Sequence, residues 1–436
     1  MTGLETGIIS VIGILFFVIF GMYIPVVLAL VSLIGTWLIT SNFDVAIFLL
    51  SQKSVETISS QEFAVIPLFV LMGLLISISD IARETFGVAN YVFRKVSGGL
   101  GVATVAANAI FASITGVSIA SAAVFTRVAV PEMLRFGYHP RLAVGIVAGS
   151  SVLGMLIPPS ILLIVYAFIA EVSVGSLFIG AIVPGLMLAV FYCIAILIIG
   201  ILRPKWVGQQ QLAALDQDNN MNLVKAAKLL APIGLLIALV IGGIYGGFFT
   251  PTESGAVGAA GALILTIARK RLTWSTFWKV TVETGHVTAS ICFMIIAASM
   301  YSSMLGLSGV PSELQQWVIG SNFGFPELII TYVVTVILLG TLLDSISIIL
   351  IVLPIFIPLL NHFGVDLIWF GILSIIVVEI GLLTPPLGIA VFVVKSCLPD
   401  GKISLKDIFL GAMPFGLIML LVVVLIAVFP ALVLKI

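Results

Sequence analysis

The chain has 436 residues, of which 61% are hydrophobic and only 9% charged, and 19 Lys and Arg balance 19 Asp and Glu. Soluble domains carry about 25% charged residues, so this inventory cannot build a water-facing shell, and it excludes a soluble enzyme or a nucleic-acid-binding protein. A mean hydropathy of +1.31, set against the roughly 20 apolar residues that a spanning helix needs, predicts an all-α, polytopic integral membrane protein.

The N-terminus carries Glu5 and no basic stretch, so no cleavable signal peptide is expected. Cuts at charge clusters and Gly/Pro breaks give apolar segments at 8–20, 24–41, 64–80, 98–126, 142–170 and 174–202. A polar stretch, 203–228, follows, with Gln209, Gln210 and Gln211 and then Asp216 through Asn220; it reads as a cytoplasmic linker. Beyond it lie 229–249, 254–268, 284–304, 325–353, 367–394 and 408–434. Cys193, Cys292 and Cys397 lie far apart, which argues against a disulfide framework or a zinc site.

The two halves, 1–202 and 229–436, are related. A shift of 227 residues carries Pro131, Phe136 and Gly137 onto Pro358, Phe363 and Gly364, and Gly154, Pro158 and Pro159 onto Gly381, Pro385 and Pro386. At 226, Gly21, Pro25 and Gly35 meet Gly247, Pro251 and Gly261; at 231, Phe178, Gly180, Ala181 and Gly185 meet Phe409, Gly411, Ala412 and Gly416. Each match alone is weak, but a nearly constant offset along both halves predicts a duplication.

Charge sets the expected topology, because basic residues accumulate in cytoplasmic loops. They cluster at Arg83/Arg94/Lys95, Arg127/Arg135/Arg141, Arg203/Lys205/Lys225/Lys228, Arg269/Lys270/Arg271/Lys279 and Lys395/Lys402/Lys406. Segment 98–126 is basic at both ends, so it should enter and leave on the cytoplasmic side as a re-entrant hairpin. Its counterpart, 325–353, has no flanking Lys or Arg and should open to the opposite face. Each half then has five crossings and one hairpin, about ten spanning helices in all. The odd number inverts the second half, with both termini outside.

Inverted repeats with broken helices place substrate and ion sites near the midplane, where unwound carbonyls and half-helix ends are free to bind. The double-proline breaks at 154–159 and 381–386, inside the broken helices 142–170 and 367–394, are such interruptions, since proline removes a donor and disturbs the preceding turn. Thr115-Gly116-Val117-Ser118 and Gly340 through Ser345 are the matching hairpin tips, offering hydroxyls, carbonyls and one carboxylate. Oxygen ligands suit a hard cation such as sodium, by analogy with calcium and magnesium. Asp344 is an ionisable group in an apolar segment, hence a functional candidate, or else a cap of the hairpin turn. Glu379 is similar, but its repeat counterpart is Val152, which leaves a structural role open. Walker A and H-E-x-x-H motifs are absent, so neither ATP hydrolysis by that route nor a zinc protease is expected.

These motifs, taken together and in order, resemble the large membrane subunit of TRAP (tripartite ATP-independent periplasmic) transporters. The matching residues are Thr115-Gly116-x-Ser118, Pro131-Glu132-Met133, Gly137-Tyr138, Leu153-Gly154-x-x-Ile157-Pro158-Pro159-Ser160 and Phe178 through Gly185. In the second half they are Gly246-Gly247-x-x-Thr250-Pro251-Thr252-Glu253, Gly340-x-x-x-Asp344 and Gly381-x-x-Thr384-Pro385-Pro386-x-Gly388. The family hairpin commonly reads Gly-Ser-Ser, and here Val117 takes the middle position.

The resemblance implies an elevator-type carrier, not an enzyme, in the bacterial inner membrane. It implies sodium-driven uptake of an organic acid handed over by a periplasmic binding protein, with a small four-helix membrane subunit packed laterally among the lipids. Sodium would be the coupling ion, with no other cofactor and no nucleic acid involved. Combined with the breaks, it points to Ala112, Thr115, Gly116, Gly154, Ile157 and Pro159 for one sodium. Gly340, Asp344, Gly381, Thr384 and Leu387 would hold the second. Substrate would lie near Thr115, Ser118, Pro158, Ser345 and Pro385. Two other classes stay open: a stand-alone ion-coupled carboxylate carrier of the same superfamily, and an intramembrane aspartyl protease using Asp344, which lacks a second aspartate at membrane depth.

Overall fold

The computed structural model describes residues 2–208, 221–321, 323–398 and 403–434. The sequence-predicted linker lies in its centre, 209–220, outside the described residues, as do Lys402 and Lys435. The described residues are helical from end to end, and the only β pairing among them is an isolated Tyr138–Val207 bridge. In chain order the helices are α1 (Gly3–Ile19), α2 (Ile24–Thr40), α3 (Phe43–Ser59), α4 (Val65–Ser77), α5 (Ile81–Phe93), α6 (Gly99–Thr115), α7 (Ser118–Arg135), α8 (Pro140–Ser151), α9 (Leu153–Leu156), α10 (Ile161–Ala170) and α11 (Val174–Leu202). They continue as α12 (Leu223–Tyr245), α13 (Pro251–Ala268), α14 (Trp274–Ser308), α15 (Val310–Gly320), α16 (Phe325–Gly340), α17 (Ser345–His362), α18 (Leu367–Leu383), α19 (Ile389–Cys397), α20 (Leu405–Val428) and α21 (Ala431–Leu434).

Polar residues start many of these helices by accepting from N–H groups that have no partner within the helix. Asn42 receives Asp44 N at 2.9 Å to open α3. Ser173 receives Ser176 N at 3.3 Å to open α11, and Ser404 receives Asp407 N at 3.1 Å to open α20. Thr250 and Glu253 form a capping box on α13, with Glu253 N 3.3 Å from Thr250 Oγ1 and Thr250 N 2.8 Å from Glu253 Oε2.

Five helices are long and apolar enough to span a membrane (α11, α12, α14, α17 and α20), or up to seven spans if each of two bent pairs counts as one. The bends are 64° between α4 and α5 and 44° at the α8–α9 to α10 break. Five shorter apolar helices, α1, α2, α6, α16 and α18, complete the set. Leu186, Val190, Ile194, Ile198 and Ile201 form an exposed apolar stripe along α11. Such a surface is tolerable against lipid and not against water, so this is a multi-pass membrane protein.

The interior is built on α8 and α18. Leu142 through Ser151 and Trp369 through Leu383 are buried without exception. α6, α7 and α20 pack on α8, and α16, α20, α11, α10 and α17 pack on α18. Close helix contacts rest on glycine: a Cβ at Gly145 of α8 would lie 2.1 Å from the Gly411 carbonyl oxygen of α20. Ion pairs fasten helix ends. Arg269 and Arg271, just past α13, reach Glu84 and Asp80 at the start of α5, and Arg141 of α8 reaches Asp407 of α20.

The helices depart from the sequence-predicted segments in several places: α3, α5 and α15 lie outside all of them, α12 starts before 229, and three segments are extended. The hairpin read as 98–126 continues through Arg127 to Arg135, because Arg127 is exposed and the helix need not end to keep its charge wet. The hairpin read as 325–353 runs on to His362 with Pro354 and Pro358 inside α17. The segment read as 284–304 is the middle of α14, which is 35 residues long. The cysteines are free thiols among the described residues.

Candidate functional site

Each hairpin tip is docked on a helix break. At the first, α6 ends at Gly116, in the left-handed region at φ 63°, whose N–H donates to Ala112 O at 3.1 Å. That conformation favours glycine, and so does the packing: a Cβ there would lie 2.6 Å from the Pro159 carbonyl oxygen. Gly116 O in turn accepts the N–H of Ile161, the first residue of α10, at 3.2 Å. Gly154 closes the other flank, since its Cβ would fall 2.9 Å from Val117 O. The structure therefore brings Ala112, Thr115, Gly116, Gly154, Ile157, Pro158 and Pro159 to one place. Thr115 is buried, and its hydroxyl donates to Phe111 O at 3.1 Å.

The second tip repeats the arrangement. α16 ends at Gly340, whose added Cβ would sit 2.6 Å from the Cα of Gly381, and the converse contact is also 2.6 Å. Thr341 O accepts the N–H of Leu387, just past the break, at 3.2 Å. The Thr384 hydroxyl donates to Ile380 O at 2.7 Å, which leaves its lone pairs for another partner. Gly340, Gly381, Thr384 and Leu387 are thus brought together. The two breaks differ in access: Pro158 and Pro159 are buried, whereas Pro385, Pro386 and the Leu387 side chain are exposed. Both double prolines contain a cis peptide bond.

Asp344 takes the cap position. It precedes α17, and its carboxylate accepts from Ser347 N at 3.3 Å and from the Ser347 hydroxyl. Ser118 and Ser345 begin α7 and α17, and both are buried. They converge on a carboxylate of the chain itself: the Ser345 hydroxyl donates to Glu379 Oε1 at 3.1 Å, and the Ser118 hydroxyl faces the same group without reaching hydrogen-bond geometry.

Sequence reasoning placed less weight on Glu379 because its counterpart is apolar, yet an ionisable residue inside an unbroken apolar run was the available signal. Tyr192, whose buried hydroxyl lies within electrostatic reach of Glu379, carried no such mark. A separate cavity lies at the far end of α10, lined by Lys53, Glu56, Phe168, Glu171, Ser299 and Ser302.

An all-helical membrane fold with two hairpin tips seated on helix breaks defines a transporter-like class. The overall fold is similar to the Alcanivorax borkumensis YdaH transporter, with a TM-score of 0.60 and 14% identity over 88% of this chain and 89% of that one. Residues 11–432 match the family model described as Tripartite ATP-independent periplasmic transporter, DctM component, and the chain belongs to that family. Among its relatives, the C4-dicarboxylate TRAP transporter large permease protein DctM of Pseudomonas aeruginosa is 34% identical, covering 88% of this chain and 87% of the relative. The sialic acid TRAP transporter large permease protein SiaM of Vibrio cholerae is 29% identical over 93% of each.

Proposed function

We propose that the chain is the large permease of a sodium-coupled uptake system for a small organic acid. A periplasmic substrate-binding protein delivers the acid, and a small four-helix subunit supports the permease in the bacterial inner membrane. The observation that carries this reading is the pair of hairpin tips, each hydrogen-bonded across a helix break, in a chain of the TRAP permease family. Freed carbonyls and close-packed glycines at such breaks suit sodium, which takes oxygen ligands. One sodium is assigned to Ala112, Thr115, Gly116, Gly154, Ile157 and Pro159. The other is assigned to Gly340, Gly381, Thr384 and Leu387, with Asp344 ordering the tip. Substrate is assigned to the region of Thr115, Ser118, Pro158, Ser345 and Pro385. The relatives named for C4-dicarboxylates and sialic acid favour a carboxylate.

The reading includes two inverted repeats that move substrate by an elevator motion. Element bounds support the duplication. α2 and α13 start at Ile24 and Pro251, α7 and α17 at Ser118 and Ser345, and α8 and α18 at Pro140 and Leu367. The stretch from the start of α3 to the end of α4, Phe43 to Ser77, matches the single helix α14, Trp274 to Ser308. The caps recur as well: His139 and Asp366 open α8 and α18, and Ser173 and Ser404 open α11 and α20.

Uptake into proteoliposomes tests the proposal. Transport is expected only with an inward sodium gradient, the small subunit and the loaded binding protein together. Full-rate uptake by this chain alone overturns the three-part assignment in favour of a stand-alone carrier, and uptake without a sodium gradient overturns the coupling.

A further inference from the structure

Among the described residues, Glu379 is the one charged side chain that is fully buried. It projects from the C-terminal part of α18 to the seam where the two hairpins begin their second helices. Its Oε1 is held by Ser345, but Oε2 has no partner, so no N–H at the start of α7 or α17 reaches it. The Ser118 and Tyr192 hydroxyls are both wholly buried and both without a hydrogen-bond partner; Ser118 faces the same carboxylate, and Tyr192 lies within electrostatic range of it. None of the ion pairs among the described residues includes Glu379.

A buried carboxylate with a bare oxygen is costly unless something pairs with it. Together Glu379, Ser118, Ser345 and Tyr192 offer oxygen atoms and a single negative charge. That donor set matches a small, hard, singly charged cation, which would satisfy several orphaned oxygens at once. We propose that Glu379, Ser118, Ser345 and Tyr192 form a third sodium site, made of side chains, at the seam between the two hairpins. The inference rests on the sodium-coupled reading above and adds to its two backbone sites an ion that bridges both hairpins. Ser118 and Ser345 then act on the substrate through that ion as well as through their position.

The test is equilibrium binding of radioactive sodium to the full-length chain, purified with its small subunit, without substrate and with choline chloride holding ionic strength. The wild type is expected to bind one sodium more per chain than Glu379→Gln. Ser118→Ala and Tyr192→Phe keep the carboxylate, and each is expected to weaken sodium affinity several-fold while the count is unchanged. Equal counts for wild type and Glu379→Gln overturn the third site and leave the other two standing. If Glu379→Gln fails to fold, wild-type sodium affinity in both Ser118→Ala and Tyr192→Phe overturns it instead. A wild type that binds no sodium at all removes the sodium-coupled reading itself.

Discussion

Thr384 and Ile157 occupy equivalent places before the two double prolines, and only one of them has a hydroxyl. That hydroxyl spends its proton on Ile380 O at 2.7 Å and keeps its oxygen lone pairs free. On the proposed assignment Thr384→Val removes one oxygen ligand and nothing else of that size. The expected result is about tenfold weaker sodium dependence of uptake, corresponding to about 1.4 kcal/mol, with membrane insertion unchanged. Identical sodium titrations for the two proteins would remove the side chain from the site. Much at this level was legible in the sequence, because Gly and Pro report backbone demands that no side chain can meet. Gly116 with its positive φ, and Gly340 against Gly381, are such positions. The company of Glu379 was not legible. It depends on Ser118, Ser345 and Tyr192, which lie in three other helices and meet only through packing.

Helices in lipid associate through small residues that let backbones approach, and the contact between α8 and α20 is of that kind. A Cβ on Gly145 would meet the Gly411 backbone at 2.1 Å, and one on Gly411 would meet Arg141 O at 2.0 Å. Neither neighbour is a flexible side-chain end that could swing aside. Gly145→Ala is therefore expected to lower the thermal midpoint in detergent by an amount matching about 1–3 kcal/mol of overpacking. Gly234→Ala in α12 is the control, since nothing lies within 4 Å of its added Cβ and alanine favours a helix over glycine by about 0.5–1 kcal/mol. Equal behaviour of the two variants would refute the tight crossing. The existence of the most apolar helices could be read from run length, but their ends could not, and α3, α5 and α15 fell outside every run. Arg127 and Pro354 look like terminators, yet α7 and α17 pass through both. An arginine on an exposed helix face stays solvated without ending the helix. Inside a membrane protein, neighbouring helices help to satisfy the carbonyls that a proline frees.

The halves of the chain are interlocked. α8 of the first packs on α20 of the second, and α18 of the second packs on α11 of the first. Likewise α2 lies against α14, and α13 against α4. Neither half closes on itself. A chain cut between 208 and 221 and expressed as two separate pieces is expected to be degraded when either piece is made alone. Co-expression of both pieces is expected to restore a stable complex that transports, with immunoblot level and uptake as readouts; a stable first half on its own would contradict the interlocking. The proposed duplication is read from the sequence as an offset. The partner exchange is not, because an offset says which elements are equivalent and not which ones touch. The exchange also sets a timetable for biosynthesis. Gly145 leaves the ribosome some 260 residues before the Gly411 it must meet, a wait of roughly 13–50 s at about 5–20 residues per second. Throughout that wait Leu142 through Ser151 of α8, all buried in the finished fold, have no α20 beside them and lie open to lipid or to the insertion machinery. The Asn108 side-chain amide, which donates to Ser150 Oγ at 2.8 Å, belongs to the same half, so these two groups can satisfy one another before the rest of the protein exists.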